Sequence, residues 1–89
     1  MRLSDGVRID RNDGRLFLCA EEANCPVRDE DRYILELLEA GEIDDKTLIE
    51  RVERQEQVCS VTAELRLAQV VLDYGDYIAP ASARRVIEA

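Results

Sequence analysis

The 89-residue sequence predicts a mainly α, α+β fold, and three observations carry that expectation. An apolar run near the N-terminus folds back at Asp13-Gly14, the signature of a β-hairpin. Two apolar patterns of helical period follow, each opened by acidic capping residues. From Glu42 to Tyr74 the chain then runs 33 residues without a glycine or a proline. The expected layout is a β-hairpin over 1–20, a helical hairpin over 29–74 and a short tail helix over 80–88, in one small domain spanning 1–89.

In the hairpin, Asp13 and Gly14 supply the two positive-φ positions of a type I′ turn. A two-residue loop places Ile9 opposite Leu18 and Val7 opposite Ala20, making one apolar face. Arg8, Asp10 and Phe17 point the other way. Residues 21–28, punctuated by Asn24 and Pro26, read as a loop.

The next helix is expected over 29–40, with Asp29 as N-cap and Gly41 in the left-handed position after its end. Tyr33, Ile34, Leu37 and Leu38 form its buried face, and Leu35 falls outside. A short turn through Ile43 makes residues 29–57 an αα-hairpin of antiparallel neighbours. Asp44 caps the following helix, with Ile43 and Leu48 placed for a hydrophobic staple.

That following helix is expected to reach from about 44 to 74. Unbroken, it would extend roughly 45 Å, against a diameter near ~30 Å for a compact domain of this size. Val58–Thr62, rich in β-branched residues, is where it would kink. Two apolar stripes run along it. Ile49, Val52, Cys59, Ala63, Leu67, Val70 and Tyr74 form the first, and Val58, Val61, Leu65, Ala68 and Leu72 the second. At 100° per residue these lie on roughly opposite sides, so residues 58–74 want cover on both. After Gly75, Pro80 suits the first turn of the tail helix, which would bury Val86 and Ile87 and expose Arg84 and Arg85.

Charge is concentrated in the middle. Residues 21–56 hold 13 acidic and 5 basic side chains, whereas the rest of the chain is balanced at 7 and 7. Such a field repels nucleic acid and anionic membrane and favours cationic partners. A recognition helix starting at Asp44 would press carboxylates against phosphates, the wrong sign for DNA binding. No apolar stretch reaches the ~18 residues of a membrane span. The first residues lack the apolar core of a signal peptide, and three cysteines is an odd number, so the expected location is the cytoplasm.

The chain has no histidine, which excludes histidine-dependent triads and dyads. Its four scattered glycines make no phosphate-cradling loop. Cys19 and Cys25 lack the spacing and the partners of a zinc site. Glu36 and Glu39, with Glu50, Glu53 and Glu56, put carboxylates one turn apart on neighbouring helices, an arrangement that in other settings chelates Mg²⁺. Arg51 and Arg54 interleave with the second set, so these read as a solvated acidic face. No catalytic residue, metal or cofactor is expected.

The functional expectation is therefore a small acidic protein–protein interaction module, an adaptor, regulatory subunit or assembly chaperone without catalysis of its own. Its contact surface would be the stripe Val58, Val61, Leu65, Ala68 and Leu72, facing a protein partner, a second copy, or both. The alternative is an acidic decoy that imitates DNA and occupies a basic surface through Glu36, Glu39, Glu50, Glu53 and Glu56.

Overall fold

The computed structural model describes residues 1–79; the tail helix expected over 80–88 lies outside the described residues. The elements in chain order are β1 (Arg2–Leu3), β2 (Arg8–Asn12), β3 (Arg15–Cys19), β4 (Asn24–Val27), α1 (Arg32–Ala40), α2 (Asp45–Glu56), α3 (Ser60–Tyr74) and β5 (Ile78–Ala79). Single 3₁₀ turns at Asp29–Asp31 and Gly75–Tyr77 precede α1 and follow α3.

The hairpin forms in the expected register, with Ile9 opposite Leu18. Asp13 and Gly14 both take positive φ, 55° and 78°, as the type I′ turn requires. Its sheet has a third strand where a loop is expected. The chain reverses through Ala20–Ala23, where the Ala20 amide donates to the Ala23 carbonyl at 2.8 Å. β4 then pairs antiparallel with β3, Leu16 opposite Val27 and Phe17 opposite Pro26. Pro26 is tolerated because β4 is an edge strand, where a missing N–H costs no ladder bond on the open side.

α1 buries Ile34 and Leu38 of the expected face but is turned so that Leu35 joins them. Ile34, Leu35 and Leu38 are buried, whereas Tyr33 and Leu37 are half-buried. Asp31, Ile34, Leu35 and Leu38 stand at i, i+3, i+4 and i+7, a regular helical stripe whose first member is a carboxylate. Asp29 does not cap; the turn that starts there has no side-chain cap bond.

The long helix is two helices, a correction to the expected run over 44–74. α2 ends in a left-handed residue, Gln57 at φ 56° and ψ 50°. The amides of Gln57 and Val58 both donate to the Glu53 carbonyl, closing the helix end. Val58 then packs against the core, and Cys59 opens α3 in extended geometry. Reversal of the chain lays α3 back along α2, so Glu56 reaches Arg66 while Ile49 lies near Leu72. The tight helix pair is thus α2 with α3, and not α1 with α2 as the short Gly41–Ile43 link suggests. Gln57→Gly should raise stability by about 0.5–1 kcal/mol, because glycine adopts this φ without a Cβ penalty. Urea unfolding would record it as a higher midpoint at unchanged slope.

Asp44 caps α2 as expected, accepting from the Thr47 amide at 3.2 Å and the Thr47 hydroxyl at 2.7 Å. Those two donors, the hydroxyl foremost, hold its carboxyl below the ordinary 3.8. The cap's contribution is complete above that ordinary value and is lost as pH falls through the depressed one. Melting midpoints measured across the acid range should therefore fall less steeply in Asp44→Asn, which keeps the cap oxygen but does not titrate.

The two ends of the described chain meet. β1 pairs antiparallel with β5, Arg2 opposite Ala79 and Leu3 opposite Ile78. Met1 and Ile43 exchange bonds, the Met1 amino group donating to the Ile43 carbonyl at 2.7 Å and the Ile43 amide to the Met1 carbonyl at 2.9 Å. One continuous core joins the sheet face (Ile9, Leu16, Leu18, Val27) to α1, to Leu48 and Val52 of α2, and to Ala63, Leu67, Val70 and Tyr74 of α3. Among the described residues no helix is long and apolar enough to cross a membrane.

Candidate functional site

α3 is apolar on both sides, and the body covers one of them. Ala63, Leu67, Val70 and Tyr74 fall within about 60° of one another on the helical wheel and are all buried. On the opposite side Val61, Leu65 and Leu72 are 63%, 65% and 78% exposed. Ala68 lies between them and is exposed, and Val71 extends the strip at 39%. Val58 leaves this set: it sits in the turn before α3, partly buried against the core. The expected stripe therefore survives as Val61, Leu65, Ala68 and Leu72.

Beside the stripe runs an open groove of about 430 Å³. Ile49 of α2, Leu67, Ala68, Val71 and Leu72 of α3, and Met1 give it an apolar surface. Two carboxylates, Asp45 and Glu64, complete its lining. Periodicity alone misses the groove, because α2 contributes to it only after the chain reverses at Gln57.

The acidic face does not persist as one surface. Arg11, arriving from β2, pairs with Glu39 at 2.9 Å and with Glu36 at 3.5 Å. Arg66 holds Glu56 through Nε at 3.0 Å and Nη2 at 3.1 Å. Glu50 and Glu53 line a shallow polar hollow together with Arg54, Gln57 and Val58. Three of the five glutamates thus have intramolecular cations, and the half-exposed Arg11 pairs contribute little to stability.

One buried polar cluster went unmarked in the sequence. Asp31 is fully buried, and its Oδ2 accepts from the Tyr74 hydroxyl at 2.7 Å and from Arg28 Nε at 2.9 Å. Arg66 Nη1 lies 3.5 Å from Oδ1, close enough for charge attraction but not for a hydrogen bond. The Tyr74 oxygen also accepts from the Arg28 amide at 3.2 Å. Arg28 reaches on to Asp73, which Gln69 and Arg28 together hold below the ordinary carboxylate value. Burial, and then Asp31, push the Tyr74 phenol above its ordinary 10.0. The cluster ties the start of α1 to the end of α3. It is an internal strut.

All three cysteines are free thiols. Cys19 is buried and donates to Asp10 Oδ2 at 3.2 Å, and burial, followed by that bond, raises its pKa. Cys59, exposed at the start of α3, is lowered first by the Thr62 hydroxyl and then by the Thr62 amide. Among the described residues no three Cys, Asp or Glu side chains converge as metal ligands do. Comparison with known protein families, curated proteins and solved structures finds no match to this chain.

Proposed function

We propose that this chain is a small protein–protein interaction module whose contact surface is the outer face of α3, and that it carries no catalysis of its own. The observation that supports this reading is the exposure of Val61, Leu65 and Leu72 on one side of a helix whose other side is fully buried. Single exposed leucines are ordinary, but an aligned apolar strip bordering an apolar groove is the surface a partner removes from water. Each large side chain so covered contributes about 1.5–3 kcal/mol to association, before the cost of ordering the partner. The free thiols agree with action in the cytoplasm.

The decoy reading draws less support, because Arg11 and Arg66 already engage three of its five glutamates. A DNA-like surface needs carboxylates free to meet a partner's cations.

A photo-cross-linking residue placed at Leu65 tests the reading in the native cell, with one at exposed Arg15 as control. Leu65 should couple to a second chain and Arg15 should not. In parallel, Leu65→Asp should leave the melting midpoint nearly unchanged, since the side chain is already in water, while removing the cross-linked partner from a reporter site at Leu72. Equal coupling from Leu65 and Arg15 would sink the reading.

A further inference from the structure

We infer that the partner of this surface is a basic amphipathic helix, laid along the groove between α2 and α3 with lysine or arginine side chains reaching Asp45 and Glu64. The inference rests on the α3 contact reading and adds to it the chemistry of the occupant.

The shape of the groove comes first. It is open along α3 rather than enclosed, with Ile49 on one wall and Ala68 and Leu72 on the other. Ala68, the small residue of the strip, leaves room for a close approach between helix backbones. A helix spaced i, i+3, i+4, i+7 can lay its apolar side chains in such a trough. α3 is about 22 Å long, which limits the partner to some four turns and the contact to the small, transient class.

Charge then selects among occupants. The charged side chains lining the groove are Asp45 and Glu64, both acidic, and the ammonium of Met1, another lining residue, is taken up by the Ile43 carbonyl. On α3, Arg66 is engaged on the far side with Glu56 and Asp31, and so offers the groove no cation. Residues 1–79 hold 19 acidic and 10 basic side chains, so a second copy would bring the same sign of charge to the same place. A helix flanked by cations gains where a second copy loses. Glu64 also stands within the exposed strip between Val61 and Ala68, so a wholly apolar partner would bury its carboxylate unpaired.

The test measures fluorescence anisotropy of two labelled peptides of about 16 residues. Both carry leucine at i, i+3, i+4 and i+7; one has lysine at the flanking positions and the other glutamate. The full-length protein should bind the lysine peptide at least about tenfold more tightly, with affinity falling as salt rises. Asp45→Asn with Glu64→Gln should weaken that peptide about 3–10-fold and flatten its salt dependence. Leu72→Asp should weaken it too, although it adds negative charge; unspecific attraction to an acidic protein would instead strengthen.

Equal binding of the two peptides would overturn the basic-helix inference and leave the α3 contact reading standing. So would a concentration-dependent dimer, split by Leu65→Asp, with neither peptide bound. Should Val86→Ser with Ile87→Ser in the full chain raise the affinity for the lysine peptide more than about tenfold, the chain's own C-terminal segment is the occupant and the inference fails. Neither peptide bound and no self-association at high micromolar concentration would overturn both readings.

Discussion

Asp31→Ala is expected to destabilise the protein by about 3–5 kcal/mol, the usual consequence of removing one member of a buried, hydrogen-bonded charge cluster. The carboxylate has no contact with solvent, and it is the acceptor on which Tyr74 and Arg28 converge. Without it the Tyr74 hydroxyl is left buried with no acceptor, while Arg66 loses the charge 3.5 Å from Nη1. A domain this small has a total stability of roughly 5–10 kcal/mol, so most of its margin disappears. The melting midpoint should drop by about 15 °C or more. Tyr74→Phe is the milder counterpart, costing about 1–3 kcal/mol, because Arg28 still faces the carboxylate. Combined, the two substitutions should cost clearly less than their sum, since each removes the same hydrogen bond. An Asp31→Ala variant as stable as the parent would show that α1 and α3 are held by apolar packing alone, and additive losses would show that the carboxylate and the hydroxyl act independently.

Asp31 also explains where the sequence misleads. Reading only apolar positions, Tyr33, Ile34, Leu37 and Leu38 make a plausible face, and Leu35 is left over. Once a carboxylate is allowed into the core, residues 31, 34, 35 and 38 form the more regular stripe, and Leu35 belongs inside. Nothing in the local sequence announces that, because the groups that satisfy Asp31 come from Arg28 nearby and from Tyr74, 43 residues away. The hairpin was legible because Asp13-Gly14 encodes its own φ angles locally.

Pro26 hid the third strand because a proline demotes a strand whose edge position is not yet known. The break in the long helix begins one residue before the Val58–Thr62 stretch where a kink is expected, but its left-handed form was hidden for a different reason. Gln57 is an ordinary helix former, and its left-handed conformation is imposed by the packing of Val58 and by the return of α3 onto α2. Tertiary packing overrides propensity there, and the same reversal builds the groove from residues about 20 positions apart.

The two stripes of α3 were legible from spacing, but spacing alone does not say which one the body claims. Leu65 and Leu67 put that question in its sharpest form, being the same residue two positions apart on one helix. Leu67 is 6% exposed and Leu65 is 65% exposed. Leu67→Ala should cost about 2–4 kcal/mol, combining lost transfer energy with a cavity between α3 and α2 that the well-packed neighbours cannot fully close. Leu65→Ala removes a side chain already largely in water and should change stability by no more than about 0.5 kcal/mol. Urea unfolding of the two variants at matched slope gives the comparison directly. For binding the two effects part company. Leu65→Ala should weaken association while the fold stays intact, whereas Leu67→Ala should lower both, through the loosening of α3 and the loss of its share of the groove lining. Comparable losses of stability from both would mean that the outer face is covered within the chain, and the contact surface proposed for α3 would then have to be given up.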